Sequence, residues 1–178
     1  ALVAETVYAG LGGGQRARLH HRVGTALGRR PGCDAATVAH HLVRGLLAGD
    51  PLEVAAACVR AGEEAMRRVA PADAVTWYDK AREIQESAGA DSATLIDTLV
   101  LLGTAQRNAG SKASRPTLLR AADLALRADD ADRLAAAALA NFHGGYTMYG
   151  VVDRDRVRVL RAALDRQPAG DSPVRAQL

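Results

Sequence analysis

Three series of residues recur along this 178-residue chain at a single spacing of 41: Gly62, Gly103 and Gly144; Ala81, Ala122 and Ala163; Asp50, Asp91 and Asp132. Matched apolar positions lie between them, first Trp77, Leu118 and Val159, then Tyr78, Leu119 and Leu160. A fixed period of this length is the mark of stacked supersecondary units, each too small to bury its own apolar face. The repeat therefore constrains the fold more tightly than any single motif.

Each series has a physical task. The aspartates fall where helices should begin, since an N-cap carboxylate satisfies orphan N–H groups and suits the positive end of the helix dipole. Pro51 after Asp50 fits the first helical turn. Val54, Cys58, Ala61, Gly62, Ala65 and Val69 then recur at three and four residues, the spacing of one buried helix face. A second helix follows Pro71, with Ala74, Trp77, Tyr78, Ala81 and Ile84 as its buried stripe and Gly89 as its stop. The glycine of the first helix and the alanine of the second form the small pair that lets two helices close up. Residues 92–130 repeat the plan with Leu99, Leu102, Leu119 and Leu126, and residues 133–167 with Leu134, Leu160 and Leu164. Ser172-Pro173 has the cap and first residue of a further helix. The expectation is an all-α, right-handed solenoid of helical hairpins, with three repeats and the start of a fourth over residues 50–178.

Composition agrees. Alanine supplies 38 residues and aromatics only 3%, so interior contacts fall to small side chains that allow close helix approach. The 23 basic and 20 acidic residues alternate along the chain and leave a net charge of +3, without the one-signed stripe of a dedicated nucleic-acid binder. Of the basic residues 21 are Arg and 2 are Lys, a bias suggesting a GC-rich bacterial genome. Cys33 and Cys58 make no disulfide framework in a chain of this size and read as reduced, intracellular residues. No apolar run approaches the roughly 18 residues of a membrane span, and no charged-then-apolar leader opens the chain. These features imply a soluble, cytoplasmic protein with no membrane partner. The missing initial Met and the half-begun helix at the end imply a stretch cut from something longer.

Ahead of the repeats, Leu19, Val23 and Leu27 line a helix over residues 15–29, and Val38, Leu42 and Leu46 line another over 34–48. Carried back, the 41-residue register lands on His21 and His40, so the small pair fails and residues 15–49 read as an adapter. Before it, Gly10, Gly12, Gly13 and Gly14 precede Gln15 and Arg16. A phosphate loop needs a Lys and a hydroxyl after its glycines, and neither is present. These glycines read as a joint that closes residues 1–14, the end of an upstream segment and a linker.

The hairpins resemble the tetratricopeptide repeat. In that family Leu-Gly-x-x-Tyr in the first helix is followed by Ala-x-x-x-Phe/Tyr-x-x-Ala in the second. Leu102-Gly103 matches the former, and Ala74, Tyr78 and Ala81 the latter. The period of 41 exceeds the family's 34 and lies in the range of HEAT-like repeats. Arg115 and Arg156 stand where Ala74 stands in the first unit. The opening stretch, with Glu5, Tyr8, Leu11, Arg16, Leu19 and His20, resembles the junction in large bacterial regulators of the signal-transducing ATPase class. There a winged-helix-like segment ends in Glu-x-x-Tyr-x-x-Leu, and an Arg-x-x-Leu-His helix starts the repeat region. The stretches VAHHLVRGLLAGDP and RAGEEAMRRVAPADAVTWYDKA resemble the helices that follow. The resemblance implies a nucleotide-binding ATPase module upstream and, in many members, a LuxR-type helix-turn-helix at the far C-terminus. Others carry a nucleotidyl cyclase or a kinase domain. It further implies a non-catalytic arm with no cofactor of its own, ATP being held by the upstream module and DNA met only through another domain. Regulation of a cyclase or kinase, or a free-standing scaffold adaptor, are the competing implications.

Chemistry within the chain itself is sparse. Neighbouring helix residues point about 100° apart, so neither His20-His21 nor His40-His41 can chelate alone, although one His from each helix could converge. His20 reads as a packing residue with one hydrogen bond, and His21 or His41 as exposed. No Gly-x-Ser-x-Gly, His-Glu-x-x-His or Cys-His context occurs. Glu63-Glu64 facing Arg67 and Arg68 reads as a solvated ion-pair face, as does DRDRVRVLR at 153–161. One cluster stands apart: Phe142, His143, Tyr146, Met148 and Tyr149, in what reads as the first helix of the third unit, broken at Gly144-Gly145 and ended by Gly150. Its rings either fill space left by small neighbours or line the concave face where repeats bind a protein or small effector. On the second reading Phe142 and Tyr149 offer apolar contacts, and Asn141 and Tyr146 polar ones.

Overall fold

The computed structural model describes residues 8, 10–141 and 152–178. They form helices and connections, with no strand among the described residues. The chain divides into two compact units, Ala1–Gly89 and Ala90–Leu178. Unit 1 holds α1 (Gly13–Gly28), α2 (Ala35–Arg44), a 3-10 turn (Leu46–Ala48), α3 (Pro51–Arg67) and α4 (Pro71–Ala88). Unit 2 holds α5 (Ser92–Asn108), α6 (Ser114–Arg127), α7 (Ala131–Ala140), α8 (Arg154–Arg166) and α9 (Pro173–Gln177).

Caps set the helix starts. Asp34, Asp50 and Asp91 accept N–H bonds from Thr37, Leu52 and Thr94. In the third hairpin the cap is Asp130, which accepts from the Arg133 N–H, and the expected Asp132 lies in the first turn of α7. The turn out of α6 decides this: Asp129 is left-handed at φ 52° and the Asp130 N–H returns to the Ala125 carbonyl, so α7 starts two residues ahead of the register. Asp153 caps α8, and Ser172 caps α9 with Pro173 in its first turn. Gly89 stops α4 in the left-handed conformation at φ 67°.

In unit 1, Val38, Ala39 and Leu42 of α2 pack with Val54, Ala55, Cys58 and Ala61 of α3 and with Ala81 and Ile84 of α4. Consecutive helices touch: α1 with α2, α2 with α3, α3 with α4. In unit 2 the core joins Ile96, Leu99, Ala121, Ala122, Ala125, Leu134, Ala138, Val159 and Ala163. There each helix from α5 to α7 touches the next, and contacts also run from α5 to α7 and from α6 to α8.

The close approaches are made by glycine against a large side chain, not by the glycine–alanine pair. A Cβ on Gly62 would lie 2.5 Å from the Tyr78 ring, and one on Gly103 would lie 2.5 Å from Leu118. The second helices are thus related by 40 residues, one fewer than the first: Ala74, Tyr78 and Ala81 correspond to Ser114, Leu118 and Ala121, all buried. The position opposite Ala74 is therefore Ser114, whose Oγ donates to the Gly103 carbonyl at 2.8 Å, and not Arg115. Leu119 and Leu126 are accordingly only partly buried.

The front pair departs further. Gly24 takes the close-approach place against Leu42, where a Cβ would lie 2.8 Å away, so α1 buries Ala17 and Gly24 while Leu19 and Val23 stay 44% and 41% exposed. The second helix stops at Arg44, short of the expected 48, with Gly45 as its C-cap and a 3-10 turn following, and only glycine fits there, since a Cβ on Gly45 would lie 2.5 Å from the His21 backbone nitrogen. Val69, placed by periodicity on the buried face of α3, lies beyond its end and is 86% exposed.

Candidate functional site

The connection from α3 to α4 builds an open cleft in unit 1. Its first wall is the end of α3, where Ala61, Glu64, Ala65 and Arg68 recur at helical spacing. Its second is the first two turns of α4, bringing Asp73, Thr76 and Trp77, and the start of α2 adds Asp34 and Ala36. The space measures about 200 Å³. Trp77, the one tryptophan of the chain, is partly buried against the unit 1 core.

Arg68 organises the rim. Its guanidinium donates to Asp34 Oδ1 at 3.2 Å and to Glu64 Oε1. Glu64 Oε2 accepts the Ala35 N–H at 3.0 Å, tying α3 to the start of α2. Asp34 also accepts from the Thr37 N–H and hydroxyl, both at 2.8 Å. Those bonds, the Thr37 backbone one foremost, hold its carboxyl below the ordinary carboxylate range. A carboxylate so held is a fixed charge at neutral pH and no general base. Asp73 has no ion-pair partner among the described residues. The Glu64–Arg68 pairing expected from sequence is present, but it reaches Asp34 on another helix as well.

The histidines converge at a second place. His20 Nδ1 and His41 Nδ1 lie 3.0 Å apart, one from α1 and one from α2, and His20 Nε2 lies 2.9 Å from the Tyr8 hydroxyl. The Arg16 guanidinium sits 5.6 Å from the centroid of the Tyr8 ring, and His40 meets His41 edge-on. His41 is thus a partner of His20 and partly buried. Burial, then the neighbouring His41, Arg44 and His40, lower the pKa of His20. His21 is half-buried too, not exposed: Gly45 and Gly49 close over it, and its Nδ1 is buried without a partner. No group of three or more His, Cys, Asp or Glu able to hold a metal occurs among the described residues. Cys58 is buried, and burial pushes its thiol up to about 11. Cys33 is only partly covered.

Of the expected binding residues, Asn141 is 4% exposed and forms the C-cap of α7, its N–H donating to the Ala137 carbonyl at 3.2 Å. Beside it the Arg107 guanidinium donates to the Ala140 carbonyl, a cation at the negative end of the helix dipole. Phe142, Tyr146 and Tyr149, with His143 and Met148, lie outside the described residues. The alternating charges of 153–161 pair across helices: Arg115 takes Asp153 at 2.8 Å and Asp155 at 2.9 Å, and Arg158 takes Asp123 at 3.5 Å. The Trp77 cleft was missed by sequence reasoning, which assigned Trp77 wholly to the core stripe. The unpaired Asp73 one turn before it was the available signal.

No helix among the described residues is long and apolar enough to cross a membrane. No protein-family model, curated protein or solved structure matches the chain.

Proposed function

We propose that this chain is the non-catalytic, protein- or effector-binding sensor arm of an ATP-dependent transcriptional regulator of the LuxR type, built as a right-handed solenoid of tetratricopeptide-like hairpins. The observation that carries the reading is the recurring seam. Gly24 meets Leu42, Gly62 meets Tyr78 and Gly103 meets Leu118, so three hairpins are closed in the same way. Repetition of one closure along a chain is the construction by which repeat proteins build extended binding surfaces. The contacts of α5 with α7 and α6 with α8 agree with stacking of successive hairpins. Asp34, Asp130, Arg68 and Arg133 spend their charges on caps and interhelical ion pairs, which suits a scaffold. Glu5, Tyr8, Leu11, Arg16, Leu19 and His20, read as the junction motif, put the arm behind an ATPase module.

In this reading an effector or protein docks on the arm, alters its packing on the ATPase module, and so releases oligomerisation and DNA binding by other domains. Such coupling requires the docked partner to bind one packing state more tightly than the other. ATP belongs to the upstream module, and the work is done in the cytoplasm.

Sequencing the gene on both sides of these residues tests the proposal. A Gly-x4-Gly-Lys-Ser/Thr motif upstream and a helix-turn-helix downstream are the expected result. A cyclase or kinase module would transfer the arm to that enzyme's control, and stop codons close to both ends would leave a free-standing adaptor.

A further inference from the structure

We infer that the Trp77 cleft docks a protein segment that inserts one Arg or Lys side chain between Trp77 and Asp73 and lays an adjacent apolar side chain on Val69. The inference rests on the binding-arm part of the proposed function and names the chemistry of the partner.

Size, charge and the tryptophan all bear on the occupant. At about 200 Å³ the cleft is smaller than the roughly 300–1,000 Å³ of small-molecule and cofactor sites, and it suits a single side chain. Three carboxylates, Asp34, Glu64 and Asp73, face one guanidinium, Arg68, which two of them already engage. Asp73 makes no ion pair among the described residues and stands exposed in the first turn of α4, one turn before Trp77, where only the helix dipole and solvent meet its charge. A cation over an indole face gains the electrostatic attraction of the ring quadrupole, and a nearby carboxylate adds to it. An anionic occupant would meet the two carboxylates that already hold Arg68.

Val69 stands immediately beside this cleft, between the lining residues Arg68 and Ala70. It is a β-branched residue in the left-handed region at φ 57° and 86% exposed. The turn after α5 makes the same two bonds with glycine instead: Val69 to Met66 and Ala70 to Ala65 correspond to Gly110 to Arg107 and Ser111 to Gln106. The turn therefore does not need valine, and valine strains it. Its side chain adds an exposed apolar contact where an incoming segment would pass.

Trp77 makes the test direct, because it is the one tryptophan of the chain and lines the cleft, so its emission responds to an occupant there in the folded protein. The 178-residue chain is titrated with the peptides Ac-Gly-Leu-Xaa-Gly-NH2, where Xaa is Arg, Lys, Gln or Glu. Saturable emission changes are expected with Arg and Lys only, weakening several-fold between about 0.05 and 0.5 M NaCl as the Debye length shortens. Asp73→Asn should weaken the Arg peptide about three- to tenfold. Val69→Gly should weaken it too while raising the melting temperature by a few degrees, a divergence that a purely structural valine would not give. A flat response to the Arg peptide up to about 10 mM, an equal response to the Gln or Glu peptide, or unchanged binding by Asp73→Asn overturns the cleft proposal. Unchanged binding by Val69→Gly removes Val69 from it. A flat response alongside flanking ATPase and helix-turn-helix modules would sink the cleft and leave the arm, whereas binding without those modules would sink only the regulator.

Discussion

The α3/α4 hairpin of unit 1 and the α5/α6 hairpin of unit 2 solve one packing problem with different residues. Both place a glycine of the first helix against a large buried side chain of the second, but one faces the Tyr78 ring and the other the branched Leu118. Both close their turn with the same pair of backbone bonds, but one uses Val69 and the other Gly110 in the left-handed position. Behind the seam, Ala74 in the first hairpin is matched by Ser114 in the second, whose hydroxyl bonds the Gly103 carbonyl. The backbone plan is thus set by where a small residue is available and where a turn can reverse. The side chains around it are free to carry other duties, which unit 1 uses for an open cleft.

The glycines offer the largest break in this likeness. In Gly62→Ala the new methyl would sit 2.5 Å from the ring of a tyrosine that is 2% exposed, so ring and helix must both shift, at about 2–3 kcal/mol. Gly103→Ala meets Leu118 at the same distance, but leucine has other rotamers to adopt, and about 1–2 kcal/mol is expected. Urea unfolding followed by Trp77 emission for the first variant, and by hydrogen exchange of α5 and α6 for the second, measures each. Equal costs would mean that the backbone, not the facing side chain, sets the tightness of the seam.

Exchanging the turn residues comes next in size. Gly110→Val should cost about 1–2 kcal/mol by placing a β-branched residue at φ 71°, and Val69→Gly should regain part of a similar amount in the other hairpin. Opposite signs in the two melting temperatures are the expected outcome. Two losses would show that Val69 makes a stabilising contact that outweighs its strain. Ser114→Ala, smaller again, should cost about 1 kcal/mol by removing the hydroxyl donor to the Gly103 carbonyl. No loss in denaturant stability would mean that the hydroxyl is incidental to the seam.

These contrasts explain what the sequence could and could not reveal. Helix starts were legible where an aspartate precedes a clear apolar period, as at Asp50 and Asp91, because the cap is a local interaction. The third start was misplaced by two residues because the left-handed Asp129 turn is set by backbone bonds that leave little trace in composition. The period of 41 held from α3 to α5, at Asp50 and Asp91 and at Gly62 and Gly103, and a one-residue slip in the second helix moved the expected burial from Leu118 to Leu119. In the front pair the loop length changed, and the register passed over Gly24 and Leu42 although their types fit the plan. The candidate site was least legible. A cleft is formed by residues from α2, α3 and α4 together, and Trp77 alone carries the same period whether it fills a core or lines a rim.

The smallest contrast is in acid. In unit 1 the facing Nδ1 atoms of His20 and His41 can share one proton between them but cannot both carry one, and Tyr8, Arg16, His40 and Arg44 around them bring no negative charge at neutral pH. Because the folded state lowers the pKa of His20, its contribution is full above the ordinary value of 6.5 and is lost as pH falls through it. In unit 2, hydrogen bonding from Arg115 holds Asp153 down at about 2, so that contribution is full above the ordinary value of 3.8 and is lost only as pH falls towards about 2. Hydrogen exchange at pH 7.5, 5.5 and 3.5, corrected for intrinsic rates, should show α1 and α2 losing protection by pH 5.5 while α6 and α8 keep theirs. His41→Gln should reduce the first change, since it removes the neighbour that after burial does most to lower the His20 pKa, and Arg115→Gln should bring the loss in α6 and α8 to higher pH. Parallel loss in both units by pH 5.5 would assign the acid sensitivity to something other than the histidine contact.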